Sequence, residues 1–188
     1  MRLFIATDLD DAAREAMAAL QWGLERRARD RSSIKWTRPE QMHVTLAFIG
    51  EADEARSAQL IVAMQRRVAQ APFEARFAGV GMFPDRGAPR VLWLGMDDSA
   101  AAMAALQREV AARVEGVGVV LEARPFHPHL TLARWRDARP ADRRAFDQVS
   151  DTGVVARVRV DHATLYRSQL SSGGSIYTPL ARVTLSGV

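Results

Sequence analysis

His43-Val-Thr-Leu46 and His129-Leu-Thr-Leu132 place two of the four histidines in matching His-x-Thr-Leu tetrapeptides, one in each half of the chain. On a β-strand successive side chains point to opposite faces, so His43 and Thr45 share one face while Val44 and Leu46 pack against the other. His129 and Thr131 follow the same rule. Two imidazoles facing each other across a groove, each beside a hydroxyl, can give and take protons around a tetrahedral group while the threonines donate hydrogen bonds to its oxygens. Phosphate is the expected occupant, in one site shared by the two half-chains. A lone strand histidine is ordinarily a hydrogen-bonded structural residue, and a strand threonine an ordinary β-former; the matched pair is what argues for catalysis.

Other residues near the motifs carry weaker signals. His127 and His129 form a His-x-His pair, a spacing that can hold a metal on one strand face, but Pro128 lies between them and no Asp or Glu follows at short range. No metal site is expected. His162, in Asp161-His-Ala-Thr164, imitates the motif with alanine and threonine in the wrong order and reads as structural. Trp36 and Arg38 precede the first motif and suit contact with a base or a phosphate chain, although Trp36 reads equally well as core.

The elements that must position these residues follow from periodicity. Arg2 to Thr7 reads as a buried strand, and Asp10 or Asp11 caps a helix to about Arg29 whose apolar positions Ala13, Met17, Leu20 and Leu24 recur at helical spacing. A short Ile34-Lys-Trp36 strand and the Arg38-Pro-Glu turn lead into the His43 strand. Asp53 opens a second helix to about Gln70, closed by Pro72. Strands Phe73 to Met82 and Arg90 to Met96 flank a loop rich in proline and glycine. The plan then repeats, with a helix from about Asp98 to Val114, a strand near Val117 to Ala123, the His129 strand and a short helix near Ala141. Val154 to Leu165 and Ile176 to Leu185 close the chain as strands, joined through Gln169 to Ser175.

This order lacks a regular βαβ alternation and favours an α+β fold with antiparallel pairing. We expect two pseudo-twofold duplicated lobes of antiparallel sheet covered by helices, with the active-site cleft between them, all within one domain spanning residues 1–188. No linker is long or polar enough to mark a boundary.

Composition narrows the chemistry. The 188 residues, 48% hydrophobic, suffice for a well-filled core. With no cysteine, thiol nucleophiles, disulfides and thiolate metal sites are excluded, and a reducing compartment is acceptable. No apolar run reaches signal-peptide or membrane-spanning length, so a cytoplasmic protein without membrane contact is expected. A monomer with no obligate protein partner is the default. The net charge of +4 comes almost wholly from arginine, since Lys35 is the only lysine; arginine's planar fork suits phosphate, although such a bias also arises from genomic base composition.

The paired tetrapeptides resemble the motifs of the 2H phosphoesterase superfamily. Within it the chain is most similar to RNA 2',3'-cyclic phosphodiesterases, also called the LigT-like or 2'-5' RNA ligase family. The supporting residues are Arg2-Leu-Phe-Ile-Ala6, Trp36-Thr-Arg-Pro-Glu-Gln-Met-His43, Phe48-Ile-Gly50 and Pro125-Phe-His-Pro-His129-Leu-Thr-Leu-Ala-Arg134. The resemblance implies hydrolysis of a 2',3'-cyclic phosphate at an RNA or nucleotide end to a 2'-phosphate, without metal or other cofactor, and reversible 2'-5' joining. It also implies that His43 is the general acid and His129 the general base, a distinction the residues alone leave open. Thr45 and Thr131 would bind the non-bridging oxygens, and Arg134 would stabilise their charge. Arg134 lies five residues after His129, an odd offset that puts it on the wrong face of a regular strand, so its role requires a bend, a bulge or a reach around the strand end. Phe48, at the matching offset after His43, would pack beneath the site or near a base, and reads equally well as an ordinary core aromatic.

Three other functions compete. ATP-driven ligation needs a nucleophilic lysine or a phosphate-cradling glycine loop, and Lys35-Trp-Thr-Arg38 supplies neither. A non-catalytic RNA-binding module explains the arginines but not two mirrored His/Thr pairs. A related phosphoesterase acting on another cyclic or 2'-5'-linked nucleotide would use the same catalytic residues and differ only in its pocket walls.

Overall fold

The structure, a computed structural model, describes residues 1–28, 32–171 and 174–187. Within them the first strand, β1 (Arg2–Thr7), leads into helix α1 (Asp11–Glu25), and β2 (Ile34–Trp36) precedes β3 (Val44–Glu51) and helix α2 (Glu54–Ala63). Then come β4 (Phe73–Phe83), β5 (Val91–Met96), helix α3 (Ala100–Gly116), β6 (Leu130–Trp135), β7 (Val154–Val160), β8 (His162–Ser171) and β9 (Gly174–Thr184). The nine strands form one antiparallel sheet in the order β7-β4-β5-β6-β3-β1-β8-β9, with β2 on β6.

Symmetry runs through the middle of that order. The two histidine strands β3 and β6 are central and share a single paired position, Val44 with Leu130; beyond it β2 takes up the free edge of β6, with Trp36 opposite Ala133. Four strands lie on each side of the β3/β6 junction, giving the α+β bilobal arrangement of antiparallel sheet with helices. The lobes are not the two halves of the sequence, however. β4 to β7 build the His129 lobe, whereas the His43 lobe combines β1 and β3 with the C-terminal hairpin β8-β9.

Apolar side chains fix this arrangement. Val44, Leu46, Leu130 and Leu132 are at most 3% exposed, so the face opposite the motif histidines is core. Helix α3 buries Met103, Leu106, Val110 and Val114, one stripe at three- and four-residue spacing, and lies against β3, while α1 lies against β7. The Asp10 carboxylate caps α1 by accepting from the Ala13 N–H, and Asp53 caps α2 through the Arg56 N–H.

The expected boundaries differ most at four places, and the expected Gln169 to Ser175 connection is largely strand, with β8 running to Ser171 and β9 starting at Gly174. α1 stops at Glu25, and the expected end at Arg29 lies outside the described residues. α2 stops at Ala63 rather than Gln70, because Val68 instead bridges to Leu185 and Arg113 donates to the carbonyls of Ala63, Arg66 and Arg67. Residues 117–123 form no strand; Gly118 adopts φ +78° and Val120 is 95% exposed, so no neighbouring ladder draws them in. Finally, Val154 to Leu165 is two strands broken at Asp161, β7 pairing with β4 and β8 with β1.

Candidate active site

Each motif histidine sits just before its strand, held by its own backbone. His43 Nδ1 is 2.7 Å from the Gln41 carbonyl, and His129 Nδ1 is 2.7 Å from the His127 carbonyl. A carbonyl only accepts, so both imidazoles carry a proton on Nδ1 and leave Nε2 free to accept a proton or, once protonated, to give one. The two motifs thus present the same atom in the same manner.

The strands beside them match position for position. On β3, Thr45 pairs with Ala6 and Phe48 with Phe4; on β6, Thr131 pairs with Trp93 and Arg134 with Val91. Between those pairs both ladders slip by one residue, at Leu46/Ala47 in β3 and Leu132/Ala133 in β6. A bulge changes the phase of a strand, so the residue five after each histidine returns to the histidine face. Both extra residues are buried, with Ala47 at 5% and Ala133 at 0% exposed. The Leu132 carbonyl accepts from Gln21 Nε2 at 2.7 Å and from the Thr37 N–H at 2.9 Å. Buried Gln21 also donates to the Thr37 carbonyl at 2.8 Å, so α1 clamps the bulge.

Thr45 and Thr131 are half-buried and Arg134 is exposed. The charge of Arg134 is felt by both imidazoles. Phe48 is 55% exposed and carries the Arg2 guanidinium 5.1 Å from its ring centre. It therefore does not pack beneath the site, because the bulge turns it outward. Trp36 packs against the core, and Arg38 lines a side hollow.

Burial holds both histidines below their ordinary value. For His43 desolvation dominates; the Gln41 carbonyl and the Asp8 charge oppose it, while Arg134 and His129 reinforce it. For His129 desolvation again leads, the His127 carbonyl opposes, and the His127 and Arg134 charges reinforce. Without ligand, burial thus favours the neutral form of both rings. An anion between them would favour the protonated form of each.

The walls differ on the two sides. His43 stands 4.9 Å from Phe4 and 5.4 Å from Tyr177, ring to ring, in a hollow of about 240 Å³ that Asp8, Gln41 and Tyr166 also line. A second hollow of about 400 Å³ shares Gln41 and Tyr177 and reaches Arg38 and Ser175. His129 stands 5.1 Å from Phe83 and 6.4 Å from Trp93. Asp8, Tyr166 and Tyr177 were not among the sequence candidates; they lie far from either motif, and it is the pairing of β1 with β3 that brings in Asp8, and of β8 with β1 and β9 that brings in Tyr166 and Tyr177. His162, read as structural, belongs to the same wall through its contact with Asp8. Among the described residues no three His, Asp, Glu or Cys side chains converge as a metal ligand set, and no helix is long and apolar enough to cross a membrane.

Comparison with known proteins gives the geometry a context. The model of the 2'-5' RNA ligase superfamily matches residues 9–171. The chain is 32% identical over 199 residues to a Thermus thermophilus protein named RNA 2',3'-cyclic phosphodiesterase, covering 100% of this chain and 91% of that one. A Geobacillus stearothermophilus protein of the same name is 33% identical over 169 residues, 89% of this chain and 52% of that protein, so the chain spans about half the length of that relative. The crystal structure of Escherichia coli LigT complexed with 3'-AMP has a TM-score of 0.79 at 28% identity, covering 98% of each chain.

Proposed function

Because the chain belongs to the 2'-5' RNA ligase superfamily, we propose that it hydrolyses 2',3'-cyclic phosphate ends of RNA or nucleotides to 2'-phosphates, using His43 as general acid and His129 as general base. The observation that carries the reading is the pair of Nδ1-anchored imidazoles on adjoining central strands, each followed by a threonine on its own face. Relatives named for this activity support the reaction class.

In the reaction, His129 Nε2 takes a proton from water as the water oxygen bonds to phosphorus. The bond from phosphorus to O3' breaks on the opposite side, and His43 Nε2–H delivers its proton to O3'. The 2'-phosphate and a 3'-hydroxyl result, with one proton moved from one ring to the other. Thr45 and Thr131 donate to the non-bridging oxygens, and the Arg134 fork balances their charge. Each positioned acid or base contributes about 10²- to 10⁴-fold. Phe48, an exposed ring, would stack on a base. A 5'-hydroxyl in the place of water would form a 2'-5' linkage by the same steps. The proposed steps call on no metal or cofactor, and every residue named in them belongs to one chain.

The test is incubation, with EDTA present, of nucleoside 2',3'-cyclic phosphates and an oligoribonucleotide ending in a cyclic phosphate, followed by identification of the product isomer. A 2'-phosphate product, lost in His43→Ala and His129→Ala, is expected. A 3'-phosphate would overturn the acid assignment, and a need for added divalent metal would overturn the metal-free chemistry. Binding without turnover in the wild type would leave only an RNA-binding module.

A further inference from the structure

The pseudo-twofold axis relates the backbones of the two lobes but not the walls behind the histidines. Asp8 follows Thr7, the partner of Val44; in the other lobe Gly95 follows Leu94, the partner of Leu130. One strand further out, Thr164 (opposite Ala6) corresponds to Gly81 (opposite Trp93), and Tyr166 (opposite Phe4) to Phe83 (opposite Val91). At these three paired positions Asp8, Thr164 and Tyr166 of the His43 wall are thus replaced by Gly95, Gly81 and Phe83 in the His129 wall.

The polar side is a closed network. The Asp8 carboxylate accepts from Thr164 Oγ1 at 3.0 Å and from the Tyr166 hydroxyl, and it meets His162 Nε2 at 3.3 Å. His162 Nδ1 is in turn bound to Asp161. On the other side the indole of Trp93 takes the space: a Cβ built on Gly81 would lie 2.2 Å from it, and one on Gly95 3.0 Å. Among the described residues no carboxylate is found acting on His129, and the neighbouring titratable ring is His127.

From this asymmetry we propose that Asp8, held by His162, Thr164 and Tyr166, is a positioning residue whose fixed negative charge keeps the proton on His43 rather than on His129 and so sets which histidine acts as the acid. The inference rests on the two-histidine reading above. Asp8 lines the same hollow as His43, and its charge favours the protonated ring. The other groups around His43 are accounted for: Arg134 from β6 and His129 disfavour protonation there, Tyr166 and Tyr177 stand in the wall, and Arg14 and Glu40 line the hollow's margin. Around His129 the charges of His127 and Arg134 both oppose protonation. His162 faces Asp8, Asp161 and Arg182. Burial pushes the Asp8 carboxyl up, but its hydrogen bonds to His162, Tyr166 and Thr164 and the charge of His162 hold it below the usual carboxylate range, so it stays ionised.

NMR titration of the His43 and His129 rings in the full-length protein without substrate tests this directly. In Asp8→Asn, which keeps the shape and removes the charge, His43 should titrate at lower pH while His129 stays in place. In His162→Gln the Asp8 charge loses its counter-ion, and His43 should titrate at higher pH. With cyclic phosphate substrate, the alkaline limb of the kcat/KM profile of Asp8→Asn should move toward acid, lowering kcat/KM there roughly tenfold for each unit of displacement, and Asp8→Glu should restore part of it. A His43 titration that stays put in Asp8→Asn, or one that moves together with that of His129, overturns the proposal whatever the enzyme's substrate. Should Asp8→Asn fail to fold, His162→Gln decides alone, its unmoved His43 overturning the proposal. Wild-type protein inactive on cyclic phosphates would refute the functional reading and leave the ring titrations to decide this one.

Discussion

Gln21 touches no part of the cleft, yet replacing it by leucine should damage the site. Its amide donates to the carbonyls of Leu132 and Thr37 at 2.7 and 2.8 Å, from a side chain 8% exposed. Gln21→Leu removes both bonds without a large change of volume. The Leu132 carbonyl keeps the Thr37 N–H, but the part-buried Thr37 carbonyl loses its Gln21 donor, a loss of at most about 1–3 kcal/mol for an unsatisfied group with about 1 more for the second bond. For a chain of this length each kcal/mol corresponds to about 2–4 °C in Tm, so a fall of roughly 4–15 °C is expected. The second effect is the diagnostic one. Leu132 and Ala133 form the bulge that returns Arg134 to the histidine face, and a looser bulge lets the guanidinium drift; misplacement by about 1 Å can cost on the order of 10²-fold in rate. Thermal unfolding by circular dichroism and kcat/KM on a nucleoside 2',3'-cyclic phosphate, measured well below the lowered Tm, separate the two. Loss of stability with unchanged kcat/KM would show that the bulge holds without α1, and no loss of either would refute the hydrogen-bond accounting.

Other perturbations reach the site by different routes. Arg134→Lys replaces a bidentate fork by a point charge and should lower kcat/KM about 10- to 100-fold, the value of one charge-assisted hydrogen bond; unchanged kinetics would move Arg134 out of the chemistry. Gly81→Ala sets a methyl 2.2 Å from the Trp93 indole and should cost about 1–3 kcal/mol by overpacking, with a changed near-UV dichroism of the displaced ring; an unaltered spectrum would contradict the close approach. The His162 ring is raised chiefly by its hydrogen bond to Asp8, with burial opposing and Asp161 assisting. Its contribution to stability is therefore complete below about pH 6.5, the unfolded value, and is lost as pH rises through the folded value. The stability difference between wild type and His162→Gln, from denaturant melts, should be largest near pH 5–6 and shrink toward alkaline pH; a constant difference would remove the charge from the account.

The two tetrapeptides were legible because their alternation is strict: Val44, Leu46, Leu130 and Leu132 are all buried, and the period of two follows directly from strand geometry. Most strands were legible for the same reason. Lobe membership was not, since nothing local to Ala163 or Leu165 says whether β8 continues the lobe of β7 or returns to β1; that choice is made by long-range pairing. The strand expected over 117–123 failed because alternating valines encode a half-buried surface only when a neighbour offers an edge, and here none does.

Arg134 shows how local reading and tertiary structure meet. Five residues is an odd number, and period two alone puts the guanidinium on the core face, where an unpaired charge costs several kcal/mol. One inserted residue in the ladder resolves this, and the insertion is visible in sequence only as a buried alanine, Ala133, at a place where strict alternation calls for an outward residue. Ala47 occupies the same place in the other motif. A His-x-Thr-Leu-Ala pentapeptide is therefore itself a bulge signal, because only a small apolar side chain can be packed where the extra residue turns inward. Phe48 and Arg134 then emerge exposed as equivalents in position and opposites in character, one presenting a ring and the other a charge. The backbone symmetry supplies two imidazoles held alike through Nδ1, and the differences between paired side chains are what can give each ring its own task.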